Sequence, residues 1–353
     1  MWRRRAELTL RSGTLKLYCT ISLTLFVLMY PIFLWLTHYD RPYLVFDPVN
    51  VSVGESSPKL QAIVCPKASK YCFKIEDYVS RGLYKRRLKI DQNDDVVLSV
   101  VELLSKPEAF TRDNSRKWPV RKDNLVLSYS KIVVAQAFVT GTFISTTNFT
   151  NTNTYNSLMI GLGGSGISNF IGSLPHNHQM TIVDIEPAMA YIAEQWFGLV
   201  PSASQKVVIQ DGVQFLAERS NWSAKFDFMI IDACLTVVKS DDLLCPHKSF
   251  LQESVIKDMR RLMSDTGTLV VNTLVIDTPQ NVERMSIRRQ QILDDFRKHF
   301  TNCYYAKGVV NQMLTCTLNL QLMMTDLYYH KTIEQLPQPY KRELDLREVK
   351  ITL

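Results

Sequence analysis

A doubly wound α/β domain closed by an antiparallel terminal hairpin is predicted from three observations. Short apolar, strand-like runs alternate with helical patterns from residue 157 onward, as in a parallel sheet flanked by helices. The first run breaks into a glycine-rich turn, "GLGGSG", at 161–166. The last two runs, in "NCYYAKGVVNQMLTCTLNL", flank a Lys-Gly turn, as hairpin strands do.

Taken in order, "SLMIG" (157–161) reads as a strand and "SGISNFIGSL" as a short helix. "QMTIVDIE" is the second strand. "PAMAYIAEQWFG" is a helix that starts at Pro187, a favoured first-turn residue, and ends before Gly198. "KVVIQDG" is a strand and "VQFLAERS" its helix. "FDFMIIDA" is continuously apolar, the pattern of a sheet centre buried on both faces. "KSFLQESVIKDMRRLM" reads as one strongly periodic helix, "TGTLVVNTLV" as a strand and "ERMSIRRQQILDDFRKHF" as the helix before the hairpin. Upstream, "LVLSYSKIVVAQAFVTGTFI" (125–144) reads as a helix leading into the domain, and "TTNFTNTNTYN" (146–156) as a polar surface loop.

The domain is placed at 121–325, with 326–353 as a C-terminal tail. Residues 61–120 hold short candidate strands, "QAIVC" and "DVVLSVVELL", and read as a small β-rich region. Residues 38–60, with several prolines and small polar residues, read as a stalk. Residues 17–37 carry no charged side chain, and about 20 apolar residues span the hydrocarbon core of a bilayer. Arg3, Arg4, Arg5, Arg11 and Lys16 precede this run and Arg41 follows it. The charge bias puts residues 1–16 in the cytosol as a tail and the rest across the membrane. This makes 17–37 the signal anchor of a single-pass type II membrane protein of the secretory pathway (endoplasmic reticulum or Golgi), its main domain lumenal. A cleaved signal peptide and a buried helix are the rival readings; the bulky "THYDRPYLVF" that follows offers no small-residue cleavage site.

Two further features bear on the compartment. Asn-x-Ser/Thr sequons, acceptors of N-linked glycan, stand at Asn50, Asn148 and Asn221, all beyond the apolar run. Beyond Cys19 there are six cysteines: Cys65, Cys72, Cys234, Cys245, Cys303 and Cys316. An even number fits an oxidising lumen. The spacing suggests nearest-neighbour pairs, but sequence leaves the connectivity open, as it does the reading of free buried thiols. The net charge of +7 is concentrated in short clusters such as "MWRRR" and "YKRRLK". These read as a membrane flank and solvated surface, not as a nucleic-acid stripe. No metal site is expected.

In a doubly wound sheet, ligands bind outside the carboxyl ends of the strands. Gly161, Gly163 and Gly166 follow the first strand in G-x-G-x-x-G spacing. The second strand ends at Asp184, with Glu186 two residues on, the third at Asp211-Gly212 and the fourth at Asp232. Glycines let backbone approach a ligand, and an acid after the second strand can accept ribose hydroxyls. Each acid alone could be a helix cap or a loop residue. Together they ask for a nucleoside ligand. A dinucleotide is the rival to S-adenosylmethionine; the Asp-Gly, placed to meet an adenine amine, and the terminal hairpin favour S-adenosylmethionine.

The stretch "MIGLGGSGISNF…IVDIEPAMAYIAEQWFGL…VVIQDGVQFLAE…FDFMIIDA…LLCPHKSFLQESVIKDMRRLMSDTGTLVVNTL" resembles the spermidine-synthase-like class I methyltransferases. Within them it is most similar to the branch containing the C-terminal domain of methyltransferase-like protein 13, which modifies translation elongation factor 1-alpha. The resemblance covers roughly 120–320 and not the apolar run. It implies a Rossmann-like class I methyltransferase fold with S-adenosylmethionine as cofactor. Gly161, Gly163 and Gly166 would face the methionine part, Asp184 the ribose and Asp211 the adenine. Spermidine synthases carry a second aspartate three residues after the position of Asp232; here it is Leu235. A polyamine would lose a partner, so polyamine synthesis is not expected. Asp232 is either a base or an acid touching only the cofactor. Cys245 and Cys316 fall within motifs shared with cytosolic members, which argues against disulfides. Even so, Cys303 and Cys316 flank the hairpin turn symmetrically. Two functions follow: a membrane-anchored methyltransferase acting on a protein amine or a glycan hydroxyl, or a catalytically inactive lumenal binding or scaffold protein.

Overall fold

The computed structural model describes residues 43–46, 57–67, 69–91, 93–144, 154–219, 222–235, 243–275, 282–308, 311–319 and 324–353. The apolar run 17–37, Cys19 and the sequon asparagines Asn50, Asn148 and Asn221 lie outside them. Among the described residues no helix is long and apolar enough to cross a membrane. The chain divides into two compact units, residues 1–44 and 45–353. Strand β1 (Tyr43–Phe46) falls across that division, in the stretch expected as stalk. Everything below belongs to the second unit.

Four strands, β2 (Lys59–Pro66), β3 (Phe73–Ser80), β4 (Leu83–Ile90) and β5 (Asn93–Glu102), form an antiparallel meander. The reading of "YKRRLK" as solvated surface is corrected here. β4 alternates its side chains between two faces, and Arg86 points inward on the face of Leu88 and Ile90; Lys89 is buried as well. A short helix, α1 (Arg112–Ser115), follows, then α2 (Ser128–Val139), which carries the predicted helix upstream of the main domain.

The α/β part then runs β6 (Thr154–Ile160), α3 (Gly166–Ser173), β7 (Asn177–Asp184), α4 (Pro187–Trp196), β8 (Gln205–Ile209), α5 (Gly212–Arg219), β9 (Phe226–Ile231), β10 (Leu243–Cys245), α6 (Glu253–Leu262), β11 (Met263–Val275), α7 (Val282–Arg297), β12 (Asn302–Lys307) and β13 (Gln312–Thr317). The predicted helix over 248–263 is split. A 3-10 turn covers Lys248–Leu251, and Gln252 is extended at ψ 136° before α6 begins. The stretch 326–353, expected as a tail, is folded into α8 (Asp326–Glu334), α9 (Tyr340–Leu344) and β14 (Lys350–Thr352). β14 pairs with β12 and extends the sheet.

The sheet order is β14-β12-β13-β11-β9-β6-β7-β8, with β10 paired to β11. The five strands from β11 to β8 are parallel, and β13, β12 and β14 are antiparallel. The direction of winding reverses at β6, so β6 and β9 flank the switch point where a ligand is expected. β9 is the centre: Phe228, Met229, Ile230 and Ile231 have no exposed surface, and burying each contributes about 2 kcal/mol. On α6, Val255, Ile256, Met259 and Leu262 recur on one face and bury against that core. These elements hold the strand ends fixed beneath the site.

Candidate active site

The glycine loop is built by close approach. Gly161 adopts φ +98°, and a Cβ there would collide with the Asp232 carbonyl, so only glycine lets the ends of β6 and β9 meet. Backbone hydrogen bonds fix the junction: Gly161 N–H donates to Val183 C=O (2.8 Å) and Asp232 N–H to Ile160 C=O (2.8 Å). The loop is also held from the meander. Ser99 on β5 accepts from Gly164 N–H at 2.7 Å and donates to Leu98 C=O at 2.7 Å. Gly166 opens α3. A Cβ on Gly212 would meet Ile160 Cγ2 at 2.5 Å and the Phe250 ring at 3.0 Å, so that glycine keeps α5 against the sheet.

The acids at the strand ends have structural partners. Asp184 Oδ2 accepts from Leu162 N–H (2.8 Å) and Oδ1 from Glu186 N–H (2.9 Å). Burial pushes its carboxyl up to about 6, against the pull of those amides. Glu186 Oε1 caps α4 through Ala188 N–H (3.0 Å). Asp211 Oδ1 caps α5 through Val213 (2.8 Å) and Gln214 (3.1 Å) N–H groups. A carboxylate oxygen has two lone pairs, so each acid keeps capacity for a ligand hydroxyl or amine.

Asp232 differs: its carboxylate partners are side chains. Asn272 Nδ2 donates to Oδ1 at 2.6 Å and the Tyr129 hydroxyl donates to Oδ2 at 3.3 Å. Asn311 Nδ2 in turn donates to Asn272 Oδ1 at 2.9 Å. Burial raises the Asp232 carboxyl to about 6, opposed by the Asn272 and Tyr129 hydrogen bonds. Burial holds the Tyr129 hydroxyl well above its usual range, reinforced by the Asp232 charge. The sequence reading missed Tyr129, Asn272, Asn311 and Ser99. Tyr129 stands in the helix "LSYSKIVV" that the reading did find; nothing local to Ser99 marks it.

One cavity of about 1500 Å³ is lined by Gly161, Gly163, Gly166, Asp184, Glu186, Asp211, Gly212 and Asp232 together. Tyr129, Asn272, Asn311 and Leu235 line it as well. Clefts for one small ligand run to about 1,000 Å³, so there is room for a nucleoside cofactor and part of an acceptor. The six described cysteines pair as Cys65–Cys72, Cys234–Cys245 and Cys303–Cys316, all nearest neighbours in sequence. Cys234 and Cys245 line the cavity together with Asp232.

No family model matches the chain. Over 133 residues it is 30% identical to an eEF1A lysine and N-terminal methyltransferase homolog of Drosophila melanogaster, covering 36% of this chain and 19% of that protein. It is 26% identical over 188 residues to a polyamine aminopropyltransferase of Vibrio vulnificus, covering 53% of this chain and 59% of the other. The chain spans about a fifth of the length of the eEF1A methyltransferase relatives it matches. Human methyltransferase-like protein 13, solved in complex with SAH, superposes with a TM-score of 0.51 at 21% identity, covering 61% of this chain and 93% of that one. A probable spermidine synthase from Corynebacterium glutamicum gives 0.55 at 11% identity, covering 80% and 88%. The chain therefore resembles the spermidine-synthase-like class I methyltransferases in sequence and has their fold.

Proposed function

We propose that this chain is a membrane-anchored, S-adenosylmethionine-dependent methyltransferase with a lumenal catalytic domain, acting on a protein amine or a glycan hydroxyl. The convergence of the glycine loop, Asp184, Asp211 and Asp232 on one cavity carries the reading. Those residues fit the cofactor: the glycine loop, bare of side chains, leaves room for its amino-acid part, Asp184 offers an acceptor to its ribose and Asp211 an acceptor to its adenine amine. Bound S-adenosylmethionine supplies an electrophilic methyl group. Asp232, ionised above about pH 6, accepts a hydrogen bond from the acceptor amine or hydroxyl and takes its proton. Tyr129 and Asn272 hold that carboxylate in place. Leu235 on the cavity wall offers no second charge, which disfavours a dicationic polyamine.

Three disulfides suit an oxidising compartment. They support the lumenal reading, together with the apolar run at 17–37 and the sequons at Asn50, Asn148 and Asn221. The eEF1A methyltransferases among the relatives make a protein amine a natural first acceptor to try. The structural duties of Asp184 and Asp211 favour a second reading, a non-catalytic lumenal binding or scaffold protein that keeps the fold. Calorimetric titration of S-adenosylmethionine into the purified chain separates the two. Micromolar-range binding, weakened in Asp211→Ala, supports the methyltransferase. No binding by the folded chain overturns it and leaves the scaffold.

A further inference from the structure

A closed ring of bonds surrounds the Asp232 carboxylate. Cys234 lies two residues past it, with Sγ 3.7 Å from Asp232 Oδ1. The disulfide carries the ring to Cys245 on β10. β10 is paired with β11, Cys245 opposite Leu274. Two residues before Leu274 stands Asn272, which donates back to Asp232 Oδ1 at 2.6 Å. Two backbone bonds brace the same stem: His247 N–H to Ala233 C=O (2.7 Å) and Leu235 N–H to Leu244 C=O (2.7 Å). The cofactor-side positions on β6, β7 and β8 have no such staple; their partners are backbone amides and Ser99.

We propose that the Cys234–Cys245 disulfide is a positioning element for Asp232, so that the acceptor half of the site is assembled only when the pair is oxidised while the cofactor half is indifferent to it. The inference rests on the methyltransferase reading. Reduction by dithiothreitol breaks the S–S bond, adds one hydrogen to each cysteine sulfur and leaves the reagent as its cyclic disulfide. The ring then closes only through hydrogen bonds, and the carboxylate loses its fixed distance to the acceptor and to the sulfonium that the neighbouring cofactor subsite would hold.

The affinity ratio of S-adenosylmethionine to S-adenosylhomocysteine reads that distance without an acceptor, since the two differ by a methyl group and one positive charge. Calorimetry on the full chain would compare the wild type with Cys234→Ser/Cys245→Ser and with Cys303→Ser/Cys316→Ser, whose disulfide joins β12 to β13. The expected result is an unchanged S-adenosylhomocysteine affinity in all three and a ratio lowered about threefold in the first variant alone. If that variant does not fold, wild type treated with dithiothreitol is measured in its place, with the same expected fall. An unaltered ratio in the folded variant, or in reduced wild type, overturns the positioning role and leaves the methyltransferase reading standing. Failure of the oxidised wild type to bind either compound overturns both.

Discussion

Asp232 is a half-buried acid on the cavity wall whose charge works against the fold. Its carboxyl stands near 6, above the ordinary 3.8, because burial outweighs its two hydrogen bonds. Folding therefore favours the protonated form. The stabilisation from that bound proton is complete below about pH 4 and lost as pH rises through 6, so the ionised group costs about 3 kcal/mol at pH 7.5. Asp232→Asn keeps the acceptor for Asn272 and leaves Tyr129, whose hydroxyl can reverse its role. Chemical denaturation at pH 7.5 should find this variant more stable than wild type by about 1–3 kcal/mol, the gap narrowing from pH 6 toward 4. A gap that does not change with pH would refute the account. Asp184 also stands near 6, in the place proposed for the cofactor ribose. Its protonation withdraws acceptor capacity from a ribose. Affinity for S-adenosylmethionine should be flat above pH 7 and fall below pH 6, by at most about tenfold per pH unit. Calorimetry across pH 5–8 measures this. The acids and glycines were legible in the sequence because strand ends and chemistry coincide there. Asn272 was not, because its place opposite Asp232 depends on the parallel register of β9 with β11.

The meander and the α/β part meet at an element whose importance no local pattern reveals. β5 reads as an ordinary apolar strand, yet Ser99 within it supplies the acceptor for Gly164 N–H. The glycine loop is thus shaped by a residue 65 positions earlier in the chain. Ser99→Ala leaves that buried N–H without a partner, which costs about 1–3 kcal/mol. Because the loop lines the cavity proposed to hold the cofactor, the same change should weaken S-adenosylhomocysteine binding. Denaturant titration and calorimetry on one sample test both, and a loss of stability with unaltered affinity would confine Ser99 to folding. The helix predicted over 248–263 shows the opposite limit of a local reading. Its apolar period was real and α6 uses it, but Gln252 turns extended and the residues before it coil into the 3-10 turn that sets Phe250 against Gly212.

Across the whole molecule, one buried cation ties the meander to the helix that follows the second acid. Arg86 Nε and Nη2 donate to Asp77 Oδ1 and Oδ2 at 2.7 and 2.8 Å, both side chains being buried. Two more of its N–H groups reach Trp196 C=O, at the end of α4, and Ser115 C=O, each at 2.9 Å. Gln61 Nε2 adds a bond to Asp77 Oδ2 at 2.9 Å. The "YKRRLK" cluster was visible as charge, but its inward member was not. That follows from the β3–β4 register, which sets Asp77 opposite Arg86 and Glu76 opposite Arg87. A buried pair is strongly sensitive to loss of one partner, because the other charge stays behind without water, and far less sensitive to loss of both. Arg86→Met should therefore cost about 3–5 kcal/mol, and Arg86→Met/Asp77→Leu should recover most of it. Denaturant unfolding of the two variants decides this. If the double variant remains as unstable as the single one, the stabilisation resides in the bonds to Trp196 and Ser115 and not in the charge pair. In that case the two layers are joined by backbone carbonyls that a neutral donor, such as Gln at 86, would satisfy in part.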